Sequence, residues 1–310
     1  MSNGKRIIIT GATGQVGKPL SRQLIEKGYE VVVFSRTPDQ ARSVVPGALD
    51  YVAWQAEEQG AWAKFIDGAY GVVSLAGAPF FRKWKSREDF ERLGTGSRIL
   101  GNRGLVNAMR QAAAKPRVFV SASAVGYYGF TDSDEWVTED TPAGTDAWGQ
   151  GNAAWEAEAA QTETLGVRTV RLRTGVVFSR DEGMTANMLP QYRAGWGAII
   201  LPGTQWLPWI HIADEVGLIV FALEDERVRG PLNASAPEPV RFREFAQTFG
   251  RVLGKPVWLR LPGLFIRMGL GEVAASVLHN RRMIPRKALD LGFSFQFPTL
   301  EPALRDLTKK

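Results

Sequence analysis

The feature that most constrains the fold is a glycine-spaced loop near the start of the chain. An apolar run of buried-strand length occupies residues 5–10, and residues 15–27 have the periodicity of a helix that ends at Gly28. Between them lie three glycines at intervals of three residues: Gly11, Gly14 and Gly17. A strand, a glycine-rich turn and a helix in this order begin the sheet of a doubly wound α/β protein. The loop therefore predicts that class of fold.

The rest of the first half repeats the alternation of strands and helices. Strands are predicted at 5–10, 30–35, 50–54, 71–76, 117–121 and 168–173, and further helices at 86–114 and 147–165. Buried strands separated by helices form a parallel sheet with helices on both faces. Because the crossovers in such sheets are right-handed, we predict a doubly wound, Rossmann-type α/β sheet.

The pattern changes after residue 173. Glycine, proline and tryptophan become dense between 195 and 209, and then a helix (214–223) and a strand (231–234) resume the alternation. Beyond the Pro-Glu-Pro sequence at 237–239, a helix, a strand and further helices form a compact tail. We predict a large Rossmann-type domain over residues 1–237 and a smaller C-terminal α/β substrate region over 238–310.

The spacing of the three glycines suits a pyrophosphate. Gly11 permits the tight turn off the strand, Gly14 lets the backbone approach a phosphate, and Gly17 lets the helix pack closely on the strand. Free N–H groups at the start of the helix then face the anion. A plain structural turn is the alternative, but the position directly after the first strand favours dinucleotide binding. The predicted contacts in the loop are Gly11, Thr13, Gly14, Gln15, Val16 and Gly17.

The residues after the second strand indicate which dinucleotide binds. A carboxylate at this place accepts the ribose 2′-hydroxyl of NAD, but the chain has Ser35 and Arg36 and no acid until Asp39. An arginine forks onto a 2′-phosphate with charge-assisted bonds worth about 1.5–3 kcal/mol, whereas a carboxylate repels it. The sequence therefore favours NADP. A solvated surface arginine is the alternative.

Small residues and hydroxyl groups follow the fourth and fifth strands. Residues 74–79, which include Gly77, suit the close approach of a ligand to the main chain. Residues 121–129 place hydroxyls at the carboxyl ends of the strands, where doubly wound sheets bind ligands. Ser123 is predicted to orient a substrate, and Tyr127 or Tyr128 to donate a proton. The alternative for the two tyrosines is one packed ring and one that faces solvent.

At these residues the chain resembles the extended short-chain dehydrogenase/reductase superfamily, and more narrowly its epimerase-like family. The resemblance extends over essentially the whole chain and rests on residues 9–17, 35–36, 74–77, 96–98, 121–129, 173–177, 208–214, 282–289 and 291–295. It implies a Rossmann-type NADP-binding domain followed by a small C-terminal domain. The cofactor contacts that it implies fall at Ser35, Arg36, Leu75, Ala76, Arg98 and Val177. It implies no particular substrate.

The chain lacks the catalytic pair of that superfamily. The usual chemistry needs a tyrosine and, four residues later on the same helix face, a lysine that lowers the pKa of the phenol. None of the six tyrosines here is followed at that spacing by lysine, and the matching register holds Trp148 and Asn152. General acid–base catalysis is worth about 10²–10⁴ in rate. The cofactor motifs and the family resemblance predict an NADP-dependent oxidoreductase or epimerase for a small carbonyl or hydroxyl substrate. The missing pair supports the alternative, a non-enzymatic NADP-binding sensor or interaction protein.

The aromatic, glycine-rich stretch at 191–209 predicts the wall of a mostly apolar substrate pocket. Gln191, Arg193 and Trp209 are its predicted polar anchors. His211, which titrates in the useful range, is the next candidate for proton transfer. Two alternatives stay open: the tryptophans fill a core between domains, and His211 is a hydrogen-bonded structural residue.

Composition and charge exclude several classes of protein. The chain has no cysteine, which excludes disulfides, thiolate metal sites and a cysteine nucleophile. No apolar run approaches the roughly 20 residues that span a bilayer. The net charge of +6 is mostly scattered, but residues 80–87 interleave bases with aromatic rings. Such a run holds single-stranded nucleic acid in other proteins, and a surface loop or a lid over the crevice is the favoured alternative. We expect a cytoplasmic protein with a small-molecule substrate and no nucleic acid, membrane or metal partner.

Overall fold

A parallel sheet of seven strands forms the centre of the fold in the computed structural model, which describes residues 4–56, 60–78, 94–130, 133–279 and 281–309. The strands are β1 (Arg6–Thr10), β2 (Glu30–Ser35), β3 (Asp50–Ala53), β4 (Gly71–Ser74), β5 (Val118–Ala124), β6 (Arg168–Thr174) and β7 (Gly230–Ala234). Their order across the sheet is β3-β2-β1-β4-β5-β6-β7, and it reverses between β1 and β4. Ligands bind at such a switch point in doubly wound sheets.

Helices cover both faces of the sheet. Their bounds are α1 (Gly17–Glu26), α2 (Pro38–Val44), α3 (Gly96–Gln111), α4 (Ala147–Ala160), α5 (Gly183–Arg193), α6 (Ile212–Glu224), α7 (Phe242–Val252), α8 (Gly263–Leu270), α9 (Ala275–Leu278), α10 (Arg286–Asp290) and α11 (Leu300–Thr308). Ile7 and Ile9 of β1 pack with α1, α2 and α6, whereas Ile8 packs on the other face with α3 and α4. The fold-class prediction is confirmed.

The predicted strands agree with the structure because strands buried on both faces read as continuous apolar runs. The second strand has the predicted bounds, and β5 continues three residues beyond its predicted end, to Ala124. Ser123 therefore lies within the strand. The predicted helix at 147–165 is α-helical to Ala160 and continues as a 3₁₀ helix at Gln161–Leu165. The basic, aromatic run at 80–87 lies outside the described residues.

Short strand pairs connect the C-terminal residues to the rest of the molecule. Leu259–Leu261 pairs with Ala198–Ile200, and Arg282–Met283 pairs with Trp136–Val137, both in parallel. A second apolar core contains Phe178 and Trp209 together with side chains of α7 and α11. This core takes residues from both sides of the predicted boundary at 237, and the division into domains stays a prediction.

The described residues contain neither a membrane-spanning helix nor a cluster of metal-binding side chains. No helix there is long and apolar enough to cross a membrane. No group of three or more histidine, aspartate or glutamate side chains in the same part of the chain is placed to hold a metal ion.

Candidate functional site

The glycine loop lies at the switch point, and its three glycines are required for different reasons. Gly11 has a positive φ of 71°, and a Cβ there would lie 2.8 Å from the backbone N of Ala76. A Cβ on Gly17 would lie 2.1 Å from the carbonyl oxygen of Gly11. A Cβ on Gly14 would meet only that same oxygen, at 3.4 Å. The packing of the chain thus explains Gly11 and Gly17, whereas the open space at Gly14 suits the close approach of a ligand.

Hydrogen bonds fix the carboxyl ends of β1, β4 and β5 to one another. Thr10 Oγ1 accepts bonds from the backbone N–H groups of Leu75 and Ala76, each at 3.2 Å. On α3, Asn102 Oδ1 accepts from Ser74 Oγ at 2.9 Å, and its Nδ2 donates to Ser121 Oγ at 2.8 Å. Sequence reasoning missed Asn102. The feature of the sequence that could have identified it is an amide side chain spaced three, four and seven residues from the apolar side chains of α3.

The glycine loop and the start of α1 are joined to the segment that precedes α5. Gln15 Nε2 donates to Ser179 Oγ at 3.1 Å and to the carbonyl oxygens of Val177 and Glu182, each at 3.3 Å. Lys18 forms an ion pair with the Glu182 carboxylate. These contacts place Val177 beside the glycine loop. We call the set of contacts between Gln15, Lys18 and residues 177–182 the loop clamp.

Two arginines lie at the predicted cofactor crevice. Arg36 is exposed directly after β2 and makes no ion pair within the described part of the chain. Ser35 Oγ beside it accepts from the backbone N–H of Thr37 at 3.1 Å. Arg98 donates to the carbonyl oxygens of Gly94 at 2.7 Å and Ala78 at 2.9 Å, and burial lowers its pKa to about 10. The Arg98 side chain is therefore still cationic at neutral pH.

Gly77 is explained by the packing of Arg98. A Cβ at this position would lie 2.5 Å from Arg98 Cζ, so the guanidinium rests directly on the main chain of the loop after β4. Leu75 and Ala76 in this loop are half-buried, and Thr13 and Gly14 across from it are exposed. The predicted cofactor residues at 11–17, 35–36 and 75–77 thus follow the carboxyl ends of the neighbouring strands β1, β2 and β4, with Val16 directly before α1. Their contact with a cofactor stays a prediction.

Ser123 donates a hydrogen bond to a buried carboxylate. Its Oγ lies 2.6 Å from Glu156 Oε1 on α4, and the same carboxylate accepts from Arg173 Nε at 2.8 Å and Nη2 at 2.9 Å. All three side chains are buried. The low dielectric constant of the interior strengthens the attraction between the Arg173 guanidinium and the Glu156 carboxylate. The serine therefore faces α4 in this conformation. Its predicted role in orienting a substrate stays a prediction.

The two tyrosines after β5 have different environments. Tyr128 is 1% exposed; its hydroxyl donates to Asn233 Oδ1 at 2.6 Å and accepts from Arg173 Nη1 at 3.0 Å. Burial raises the pKa of Tyr128 above its ordinary value. The half-buried Tyr127 ring lies 3.4 Å from the Arg173 guanidinium, and within the described residues its hydroxyl makes no hydrogen bond. Tyr127 is thus the one of the pair whose proton is not committed to a protein acceptor.

The helix face that carries the superfamily's catalytic pair packs on the loop after β5. A Cβ on Gly126 would lie 2.9 Å from Asn152 Nδ2 and 3.6 Å from Trp148 Cε3. Asn152 Nδ2 donates to the Trp148 carbonyl oxygen at 2.8 Å. Its Oδ1 is buried and has no hydrogen-bond partner among the described residues. The face therefore presents an indole ring and one free amide oxygen.

The structure does not bring the three predicted pocket anchors and His211 together at one site. Trp209 is a fully buried core residue stacked on Phe178, with ring centroids 5.4 Å apart, because residues 209–211 pair with 176–178. His211 Nδ1 accepts from the Ala213 N–H at 3.1 Å and caps α6, and burial lowers its pKa to about 4. This places Trp209 and His211 in the interior, as the two alternatives from sequence described them. Gln191 and Arg193 are exposed at the end of α5.

The sequence matches two described protein families. The NAD dependent epimerase/dehydratase family matches residues 7–234. A domain of unknown function (DUF1731) matches residues 261–307. Similar proteins are the chloroplastic epimerase family protein SDR39U1 homolog of Arabidopsis thaliana, 35% identical over 96% of this chain and 85% of that protein, and epimerase family protein YfhF of Bacillus subtilis, 33% identical over 97% of both.

Solved structures with the same fold include a relative crystallised with a cofactor. The crystal structure of human epimerase family protein SDR39U1 (isoform 2) with NADPH has a TM-score of 0.84 and 30% identity, and the match covers 97% of this chain and 98% of that chain. UDP-glucuronic acid 4-epimerase from Bacillus cereus has a TM-score of 0.77 at 20% identity over 97% and 96% of the two chains, which shows the fold alone. The family resemblance inferred from the sequence motifs is confirmed.

Proposed function

Because the chain belongs to the NAD dependent epimerase/dehydratase family, we propose that it binds NADP(H) and transfers hydride between this cofactor and a small carbonyl or hydroxyl substrate. The glycine loop carries the proposal. The chain's own packing requires Gly11 and Gly17, whereas a side chain at Gly14 would meet a single protein atom at contact distance. An open backbone position beside the start of α1 suits a bound pyrophosphate.

Two cations support the choice of the phosphorylated cofactor. Arg36 is exposed after β2 without an ion-pair partner in the described part of the chain, so its guanidinium is available to a ribose 2′-phosphate. Arg98 holds a second positive charge against the loop after β4. The human relative crystallised with NADPH supports the same choice.

Tyr127 is the residue that transfers the proton in the proposed reaction. NADPH, when bound, supplies the hydride, and the chain has to deliver or accept the accompanying proton. Ser123 and Tyr128 both donate to buried acceptors, whereas the Tyr127 hydroxyl makes no such bond among the described residues. The Arg173 guanidinium under the Tyr127 ring supplies a fixed positive charge next to the phenol. Ser123 then acts as a positioning residue at the end of β5, and Tyr128 as one in the loop that follows.

A non-enzymatic NADP-binding protein is the second candidate function. The observation that favours it is the face of α4, where Trp148 and Asn152 stand in the register of the superfamily's tyrosine and lysine. An indole and a primary amide bind and orient a ligand but transfer no proton at neutral pH. The two functions share the cofactor site and differ only in whether bound NADPH is consumed.

Binding and turnover, measured separately, distinguish the two functions. We expect calorimetry to show one NADPH per chain, and NADPH absorbance to fall with a member of a carbonyl library. Gly14→Val should abolish binding and keep the fold, because its Cβ would meet only Gly11 O at 3.4 Å. Gly269→Val is the matched control, since no atom lies within 4 Å of a Cβ there. Binding without turnover favours the sensor, and absence of NADPH binding by the native chain contradicts both.

A further inference from the structure

Exposed apolar side chains are concentrated around α8 and the strand pair that precedes it. Of the nine large apolar side chains that are exposed in the described chain, two lie just before the paired strands 198–200 and 259–261 and three lie on α8. The exposed fractions are 61% for Trp196, 61% for Trp258, 65% for Leu264, 56% for Phe265 and 75% for Met268. Isolated exposed apolar residues are normal on protein surfaces, but such a concentration marks an interaction site.

Strand pairing and helix geometry bring these side chains together. Residues 198–200 pair in parallel with 259–261, and this pairing places the Trp196 and Trp258 ring centroids 6.4 Å apart. Helix α8 begins two residues after the strand ends. Leu264 and Phe265 lie four and three residues before Met268, so the three side chains share one face of α8. We call the surface formed by Trp196, Trp258 and this face of α8, with the exposed basic residues around them, the Trp–Arg surface.

Basic residues outnumber acidic residues in the two segments that contain the Trp–Arg surface. Residues 183–213 and 245–271, the two segments that contain the surface residues, have no aspartate or glutamate. Four exposed basic side chains in these segments make no ion pair within the described chain: Arg193, Lys255, Arg260 and Arg267. The whole chain carries 32 acids and a net charge of +6, so the surplus of positive charge is locally much greater here. Such a surface attracts an anionic partner.

We propose that the Trp–Arg surface binds the face of an anionic lipid bilayer. Indole rings favour the interface between water and hydrocarbon, and arginines there keep their guanidinium groups at the level of the lipid phosphates. A helix with one apolar face and adjacent bases lies in the plane of that interface. A bilayer accepts five protruding apolar side chains without a complementary pocket for each. Every basic residue near an anionic leaflet adds about a fivefold gain in partitioning.

Vesicle sedimentation of the full chain tests the proposal. We expect the protein to sediment with vesicles of phosphatidylcholine and phosphatidylglycerol, to bind several-fold less to phosphatidylcholine alone, and to dissociate as salt is raised. Trp258→Ser combined with Met268→Ser should weaken binding at least about tenfold, because both side chains leave the hydrocarbon boundary. Leu49→Ser is the matched control, since Leu49 is 58% exposed outside the Trp–Arg surface. It should bind like the native chain.

A charge variant and a spectroscopic probe complete the test. Arg260→Glu combined with Arg267→Glu should lose binding to the anionic vesicles at least about tenfold while the thermal melt is unchanged. If a variant does not fold, quenching of the native chain's tryptophans by brominated lipid is the second measurement. The proposal is overturned if the native chain shows neither binding to anionic vesicles nor quenching. It is also overturned if the double variant Trp258→Ser, Met268→Ser binds these vesicles as well as the native chain does. A native dimer that Trp258→Ser converts to monomers also overturns it, because the surface then belongs to a second copy of the chain.

Discussion

At the scale of single residues, Arg36 decides the choice between the two dinucleotides. Arg36→Asp should lower NADPH affinity by about 10–100-fold, because a charge-assisted bond worth about 1.5–3 kcal/mol is replaced by repulsion. NADH affinity should change little, so the gap between the cofactors shrinks or reverses in calorimetric titration. Lys115→Asp, an exposed charge change at the opposite end of the sheet, is the control. Equal affinity of the native chain for the two cofactors would contradict the prediction.

The adjacent tyrosines should respond differently to loss of the hydroxyl. Tyr127→Phe should reduce NADPH turnover by about 10²-fold or more without a change in stability, because its hydroxyl is proposed to carry the proton. Tyr128→Phe removes the donor to Asn233 Oδ1 and the acceptor of Arg173, so it should destabilise the fold by about 1–3 kcal/mol. Turnover and urea unfolding of both variants give the comparison. The reverse pattern would assign the proton to Tyr128.

Residues that follow a local pattern are predictable from sequence, and residues that act through distant partners are not. Gly11 and Gly17 follow from the order strand, turn and helix, and the structure gives each a backbone clash as its reason. Tyr128, by contrast, is held by Asn233, which lies 105 positions away in the chain. Glu156 offered one signal, since it lies one helical turn after Asn152. Its partner Arg173 is one of three arginines in β6, and only Arg173 among them is buried.

At the scale of secondary-structure elements, the length of a strand or helix decides whether its position can be predicted from the sequence. The long buried strands and helices carry a periodicity that survives in the sequence. The three-residue strands at 176–178 and 209–211 carry none, and their parallel pairing is what places Trp209 and His211 in the interior. Strand β5 continues to Ala124 because its backbone remains paired with β6, although its side chains there are too small to give an apolar run.

The loop clamp should couple the glycine loop to the segment before α5. Gln15→Ala removes three hydrogen bonds from Nε2 to residues 177–182, and we expect faster amide hydrogen exchange there. The loss of stability should be about 1 kcal/mol. Exchange in β6 should be unchanged, because its ladder bonds do not involve the clamp. NADPH should partly restore protection in the native chain and less in the variant. Unchanged exchange at 177–182 would show that the clamp has no mechanical role.

At the scale of the whole molecule, buried charges connect elements that are far apart in sequence. Glu139 Oε1 accepts from the backbone N–H groups of Asn233 at 3.0 Å and Lys287 at 3.2 Å, and so joins β7 to α10. Arg173 connects Glu156 on α4 to Tyr128 and to the Glu139 carbonyl oxygen. Burial is the largest cause of the raised pKa of Glu139. The stability of the fold is therefore linked to protonation.

Glu215 offers the clearest case of this linkage. Its carboxyl group is buried; Thr174 Oγ1 donates to Oε1 at 2.8 Å, and Oε2 has no hydrogen-bond partner in the described residues. Burial raises its pKa from 4.5 to about 8. Because the folded state binds this proton more tightly than the unfolded state, the contribution of Glu215 is complete below its ordinary pKa. That contribution is lost progressively as the pH rises towards its folded value.

Replacing Glu215 by glutamine should remove this part of the pH dependence. The amide introduced by Glu215→Gln is neutral at every pH, and its oxygen can still accept the Thr174 bond, so the variant should gain stability over the native chain as the pH rises. The gain should approach about 1.4 kcal/mol per pH unit between the two pKa values. Urea unfolding in acidic, neutral and alkaline buffers measures it, with the exposed Glu226→Gln as control. Parallel stability curves for the native chain and Glu215→Gln would mean that the carboxyl group is ionised in the folded molecule at neutral pH.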